Sequence, residues 1–516
     1  MLIKPEFKKI VLKLDKPERV LAVIPHARTI QYKGQDLVVV PHRDEEVRIL
    51  GNLGIEAPMP IEYYYRWSGQ YKPFAHQLVT SSFLTRHLRA YCLNDMGSGK
   101  TLSVLWSYDY LRSIGKVKRM LVIAPLSTLE QTWGDAIFRN FPHLTFSVLH
   151  GTRERRRKLL DQPVDIYIIN HDGLKVLAND IAKRDDISVV VPDELAVYRN
   201  KSTDRWKALR KLVPHPNRIC WGLTGTPTPT APTDAWAQCL LINPDNVPAY
   251  MGVFKSMTMR QLSQFKWIPK PEATAIVAAA MQPSIRFKRE DCIDLPPVTY
   301  ETRSVEMTKD QKDAYKGMLT KLYTEINGTE VTAVNEAVKM MKLVQIVCGA
   351  VYSGDGETAF VPATSRLALT DEIIQEAGSK VIVFVPFTGA LLAVAEYLRH
   401  KGHTVEIING AVSKTARDQI FREFQHEENP RVIVAQPSAM SHGLTLTAAS
   451  VIVWFAPPNS LETYEQACAR ITRPGQKLNQ LIVNVEGSPV ERKIYERLLN
   501  RGKMQGLLLD AIEEGV

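Results

Sequence analysis

The strongest constraint on the fold is a series of short apolar, β-branched runs, each closed by Pro, Asp, Asn or Gly and followed by a helix-like stretch. Runs of this kind read as parallel strands covered on both faces, where neither side needs polar residues. They fall into two groups. The first holds residues 120–126 (MLVIAPL), 164–170 (VDIYIIN), 187–194 (ISVVVPDE) and 218–227 (RICWGLTGTP). The second holds 380–387 (KVIVFVPF), 404–410 (TVEIING), 431–437 (RVIVAQP), 450–458 (SVIVWFAPP) and 480–487 (QLIVNVEG). A chain of 516 residues exceeds what one hydrophobic core supports. The expected architecture is α/β, with two doubly wound parallel-sheet lobes in tandem.

The rest of the chain is divided around these groups. The first lobe is expected over 66–230 and the second over 366–490, with a C-terminal helix over 491–516. Residues 231–365 have mostly helical character, for example at 308–319 and 332–347, broken by the proline-bearing 292–300, and read as helical protrusions and a linker. Residues 1–65 read as a small accessory α+β module. Its strand pair lies around 28–41 with the turn at Lys33-Gly34, and a short helix begins at Asp44.

Composition narrows the class without choosing it. A net charge of +10 leans towards a polyanionic partner but is thinly spread. The six cysteines form no CxxC pair and no zinc-spaced cluster, so they read as buried thiols in a reducing compartment. Lysines interrupt the N-terminal stretch where a signal peptide would be apolar, and no apolar run approaches ~20 residues. A soluble intracellular protein without a membrane partner is expected.

Four segments carry chemistry. Residues 94–101 (NDMGSGKT) follow an apolar run and precede a helix-like stretch. Gly97, Ser98 and Gly99 let backbone N–H groups close on phosphate oxygens, Lys100 supplies charge to the β- and γ-phosphates, and Thr101 can hold Mg²⁺. Asp193-Glu194 ends an apolar strand at the sheet edge where ligands collect. Asp193 is assigned to the metal and Glu194 to the attacking water, although a lone acidic pair there is by itself an ordinary turn. Residues 223–227 (LTGTP) place hydroxyls at the next strand end, where a γ-phosphate sensor or an interlobe contact would sit, although taken alone they read better as a plain Gly-Pro turn. Arg470 and Arg473, three apart, are expected on one helix face, able to stabilise charge on a transferring phosphoryl group.

Taken in order, these segments resemble helicase superfamily two, and within it the Swi/Snf-type DNA translocases. NDMGSGKT resembles motif I, 124–133 (APLSTLEQTW) motif Ia, 193–200 (DELAVYRN) motif II, and LTGTP motif III. In the second lobe, VIVFVPF resembles motif IV, 438–458 (SAMSHGLTLTAASVIVWFAPP) motif V, and 466–476 (QACARITRPGQ) motif VI. Residues 286–297 (RFKREDCIDLPP) and 341–352 (MKLVQIVCGAVY) add family-specific likeness, and the whole spans roughly 70 to 510.

The resemblance implies RecA-like lobes, ATP and Mg²⁺, and an adenine-reading role for Gln77. It implies arginine fingers among Arg470 and Arg473, and contacts to the nucleic-acid backbone from Ser127, Thr128 and His171 in the first lobe and Ser441, Gly443 and Thr445 in the second. ATP phosphates would sit on the first lobe and the arginines would arrive from the second. The implied activity is DNA-stimulated ATP hydrolysis driving movement along double-stranded DNA, single-stranded or branched DNA being further tracks. Protein partners are undetermined and a monomer is expected. A strand-separating helicase is the near alternative, and a hydrolysis-deficient nucleic-acid-binding scaffold the alternative of another class. Motif II carries Ala196 where the family usually has histidine, so its link to motif III must be made otherwise or be weaker. Asn94 and Pro192 are also less usual. The compact build points to a prokaryotic cell or a virus-infected one.

Overall fold

The computed structural model describes residues 1–215, 218–264, 266–292, 295–326, 329–333, 335–353, 357–440 and 445–513. They divide into two compact units, Met1–Cys292 with Leu507–Val516, and Ile293–Gly506.

The first unit opens with four antiparallel strands, β1 (Leu2–Lys4), β2 (Lys9–Leu12), β3 (Arg28–Tyr32) and β4 (Gln35–Pro41), in the order β1-β2-β4-β3. The β3–β4 turn is made by Lys33 and Gly34 at φ +50° and +75°, the doubly left-handed turn that matches the twist of a two-residue hairpin. The expected helix follows at Asp44–Asn52. This module has no core of its own. Ile10, Leu12, Val38, Val40, Val47 and Leu50 lie in one cluster with Leu84, Trp106 and Trp221 of the adjoining α/β layer. Polar ties reinforce the seam: Tyr110 donates to Asp44 Oδ2 at 2.9 Å, and Arg48 Nη2 to the Thr85 carbonyl at 2.7 Å.

The main sheet of the unit is built from β5 (Arg89–Cys92), β6 (Arg119–Ala124), β7 (Phe146–Val148), β8 (Ile166–Asn170), β9 (Ile187–Pro192) and β10 (Ile219–Leu223). After β10 the chain makes helices Asp234–Ile242, Met251–Thr258 and Ala273–Ala280, with a hairpin of β11 (Met259–Ser263) and β12 (Lys266–Pro269). It then returns as β13 (Ser284–Ile285), giving the seven-stranded parallel order β13-β5-β10-β9-β6-β8-β7.

In the second unit β14 (Val298–Ser304) precedes two hairpins, β15 (Tyr323–Ile326) with β16 (Thr329–Thr332) and β17 (Ala350–Tyr352) with β18 (Thr358–Phe360). The parallel sheet is completed by β19 (Lys380–Phe384), β20 (Val405–Ile408), β21 (Val432–Ala435), β22 (Ala449–Trp454) and β23 (Gln480–Glu486), in the order β14-β23-β22-β19-β21-β20. The chain is thus α/β with two parallel-sheet lobes.

Both sheets explain why the runs are apolar throughout. On β6, Leu121 and Ile123 enter one core while Met120, Val122 and Ala124 enter the other. On β19, Val381 and Val383 face one cluster and Ile382 and Phe384 its opposite. Side chains alternate between faces, and each face is covered by helices.

The region expected as helical protrusions and linker supplies strands to both sheets, β13 and β14. β14 (VTYETRS) alternates exposed polar side chains with half-buried ones because it is an edge strand paired only with β23. The helix expected from 332 starts at Glu336, because Thr329–Thr332 is taken into a hairpin.

Candidate functional site

The loop 93–99 joins β5 to the helix Lys100–Ser113. Gly97 and Gly99 sit at φ +82° and +81°, where side chains are disfavoured, and a Cβ on Gly99 would run into the Gln77 amide. The turn delivers backbone N–H groups and the positive end of a fourteen-residue helix to one point, an anion site by construction. Lys100 Nζ donates to the carbonyls of Asn94 at 2.9 Å and Asp95 at 3.2 Å, so the ammonium lies across the loop. Thr101 is in the first turn beside it.

The unusual Asn94 points inward. It is 1% exposed, and its Nδ2 donates to Thr80 Oγ1 at 2.9 Å, tying the loop to helix Ala75–Arg86. Gln77, on the same helix, accepts from Phe74 N at 3.0 Å and donates to the Ser98 carbonyl at 3.1 Å; His76 Nε2 donates to that carbonyl at 2.8 Å. The structure therefore places the Gln77 amide on the phosphate loop. The role of His76 was not legible in the sequence, since only the fold turns it towards Ser98.

A second brace comes from beyond β13. Arg286 Nη2 is 2.7 Å from Asp95 Oδ1, Arg289 N donates to Asp95 Oδ2 at 3.0 Å, and Asp95 N donates to the Phe287 carbonyl at 3.1 Å. The segment that resembles the family at 286–297 thus begins by fixing the loop.

Asp193 follows β9, its N–H donating to the Ile123 carbonyl at 2.8 Å. Trp133 Nε1 donates to Asp193 Oδ2 at 3.0 Å, and Glu194 N to Oδ1 at 3.1 Å. Burial pushes the Asp193 carboxyl above the usual range, opposed by the Trp133 hydrogen bond and the charge of Lys100. Glu194 is held at φ +55°, a left-handed conformation costly for a glutamate and typical of a constrained site. Trp133 closes the segment read as motif Ia, and its use as a carboxylate partner is visible only in three dimensions.

Motif III meets the loop directly. Thr224 N donates to the Cys92 carbonyl at 3.1 Å, Asp193 bridges to Leu223, and a Cβ on Gly225 would lie 3.3 Å from Met96 Cγ. Thr226 is 1% exposed and its hydroxyl has no hydrogen-bond partner among the described residues. Ala196 lies fully buried in the turn Leu195–Tyr198. Backbone pairing brings the end of β9 and motif III together beside it.

The first-lobe residues expected along a nucleic-acid track separate. Ser127 is exposed. Thr128 is 6% exposed and donates to the Pro125 carbonyl at 2.9 Å. His171 is 6% exposed with Nδ1 2.9 Å from the Tyr198 hydroxyl, which corrects its expected place on a surface: its ring anchors the start of helix His171–Ala182.

In the second unit, helix Leu461–Cys468 stops before the two arginines. Pro474 disfavours helical backbone at Arg473 before it, and the left-handed Gly475, at φ +98°, turns the chain. The expectation that Arg470 and Arg473 share a helix face is therefore corrected: both sit in the segment that follows the helix. Arg470 is 3% exposed. Arg473 donates through Nε to the Ala469 carbonyl at 3.2 Å and through Nη1 to Thr445 Oγ1 at 3.3 Å, so motifs V and VI touch. Ser441 and Gly443 lie outside the described residues.

The phosphate loop, the Asp193 carboxylate under the influence of Lys100, and the buried Thr226 hydroxyl together fit a nucleotide triphosphate with a divalent cation. Among the described residues no group of three or more His, Cys, Asp or Glu could hold a metal alone. A cation here would be shared by Asp193, Thr101 and phosphate oxygens.

Residues 89–350 match the SNF2-related domain and residues 365–475 the helicase conserved C-terminal domain. The chain belongs to the SNF2-related domain family, and it is an ATP hydrolase of the helicase class. It is 25% identical over 470 residues to putative protein p41 of Acyrthosiphon pisum secondary endosymbiont phage 1, covering 86% of this chain and 98% of that one. It is also 25% identical over 483 residues to the ISWI chromatin-remodeling complex ATPase ISW1 of Saccharomyces cerevisiae, covering 87% of this chain but only 42% of the yeast protein. Among solved structures, the Sulfolobus solfataricus SWI2/SNF2 ATPase core in complex with dsDNA is similar at 24% identity with a TM-score of 0.41, covering 87% of this chain and 94% of that one. Among the described residues no helix is long and apolar enough to cross a membrane.

Proposed function

We propose that the chain is a Swi/Snf-type translocase that couples ATP hydrolysis to movement along double-stranded DNA and so remodels DNA structures or DNA–protein complexes. The observation that carries this reading is the arrangement on the first unit of Lys100 over the loop carbonyls, with Asp193 and Glu194 at the end of β9. The Thr445–Arg473 contact in the second unit supports it, since it links a residue assigned to the DNA backbone with one assigned to the nucleotide.

In this mechanism Lys100 and the loop N–H groups hold the β- and γ-phosphates, and Glu194 orients and deprotonates the attacking water. Mg²⁺, held by Thr101 and Asp193, would neutralise charge shared by the phosphate oxygens. Arg470 and Arg473 stabilise charge on the transferring phosphoryl group, and Gln77 reads adenine once its amide turns from Ser98. Contacts to phosphates carry little sequence information, so binding is expected to be nonspecific and salt-sensitive.

The test is the ATPase rate with duplex, single-stranded and forked DNA and with RNA, at two salt concentrations. Strong stimulation by duplex DNA, accompanied by triplex displacement without strand separation, is the expected result. Stimulation by RNA alone, or none by any nucleic acid, would overturn the reading.

A further inference from the structure

The N-terminal sheet has one face in the core and one turned away from it. In an antiparallel sheet, residues opposed across strands share a face. The row Ile3, Ile10 and Val40 belongs to the core. The next row, Leu2, Val11, Val39 and Arg28, must therefore point outward, and it runs unbroken across all four strands. Val39, inside the row, is only 7% exposed, whereas Leu2 and Arg28 at its ends are open.

The neighbouring outward positions continue the pattern. Lys4 and Lys9 oppose each other on one side of that row, while Ile30 and then Tyr32 extend along β3 on the other. Leu2 and Tyr32 are 54% and 59% exposed, far more than their apolar area favours. No carboxylate occupies any of these outward register positions. Residues 1–35 hold eight Lys and Arg against three Asp and Glu, a local excess well above that of the whole chain. Lys33 Nζ lies 5.6 Å from the Tyr32 ring centroid.

We infer that this outer face binds a single nucleic-acid strand, with a base stacked on Tyr32 and its neighbours on Ile30 and Leu2, and with Lys4, Lys9 and Arg28 on the phosphates. An exposed aromatic on a sheet face flanked by cations suits unstacked bases, which a duplex would keep out of reach. The shared core carries this platform rigidly with the first ATPase lobe, so a strand held on it is held at a fixed place relative to the phosphate loop. The inference rests on the proposed motor function only for its choice of polyanion.

The test uses the full chain and a fluorescent oligothymidylate without nucleotide, measured by anisotropy across a salt series. Tyr32→Ala is expected to weaken binding on the order of 10-fold. The double reversal Lys9→Glu with Arg28→Glu is expected to flatten the salt dependence by roughly one to two released counterions. These side chains are exposed or half-buried, and unchanged melting profiles will show that the variants fold. Duplex-stimulated ATP turnover should stay within about twofold of the parent, and Lys100→Ala should bind the oligonucleotide as the parent does. Oligonucleotide affinity unchanged in both face variants overturns the inference, even if the face captures a protein. Absent ATPase stimulation in the parent would count against the motor function alone, because oligonucleotide binding is read without ATP.

Discussion

Arg286 Nη2 and Asp95 Oδ1 meet at 2.7 Å, and through this pair the segment after β13 grips the same loop residue whose carbonyl accepts from Lys100. Arg286 is buried at 8% exposure while the Asp95 side chain is 34% exposed, so water reaches the pair from the aspartate side. Arg286→Ala and Asp95→Asn are each expected to lower kcat on the order of 10-fold to 100-fold by letting the loop shift. The double variant should lose little more than either single one. Fully additive losses in a double-mutant cycle would show that the pair does not act as a unit.

Removing the groups proposed to react should be more severe. Lys100→Ala and Glu194→Gln are each expected to reduce DNA-stimulated turnover by about 10²-fold or more. Phosphate release measured at saturating ATP checks this, and turnover persisting unchanged in both would displace the site.

Trp133 offers a subtler test. Its indole lowers a carboxyl that burial raises, so Trp133→Phe should raise the Asp193 pKa further. The acidic limb of the rate profile should then move to higher pH. A lowered rate with an unmoved limb would mean the indole serves packing only.

Arg473→Ala should lower kcat by roughly 10³-fold while leaving ATP affinity and DNA binding nearly intact, if its guanidinium acts on the transferring phosphoryl group. Measuring KM and DNA affinity alongside kcat separates this from loss of the Thr445 contact.

His87 gives the protein an acid sensitivity. Burial, with Arg86 and Arg48 nearby, pushes its imidazole from 6.5 down to about 4. The unfolded chain therefore binds a proton between these values that the folded one refuses. Its contribution to stability is complete above pH 6.5 and is lost as pH falls towards 4. Melting temperatures of His87→Gln and the parent should diverge less at about pH 5 than at about pH 7.5 if the parent alone loses this contribution.

The strands legible in the sequence were those long enough to show a run of apolar residues, and β6, β8, β9 and β10 appear where the pattern places them. β13 escaped because two residues carry no period, and β14 because an edge strand with polar exposed positions does not resemble a buried one. The residues proposed to react were picked out in the sequence because such chemistry demands fixed types at fixed spacing. Their supports were not. Trp133, His76 and Arg286 act through partners distant in sequence, and Ala196 showed only what was missing.

β5 has β10 on one side and β13 on the other, although three helices and a hairpin separate those two strands in the chain. The excursion thus leaves and re-enters the sheet at two fixed posts beside the strand that feeds the phosphate loop. Lengthening a segment whose ends are already fixed costs only about 0.6 kcal/mol per doubling. Extra chain inserted within the excursion, beyond the site residues Thr224, Gly225 and Thr226, would leave both posts and Lys100 where they are.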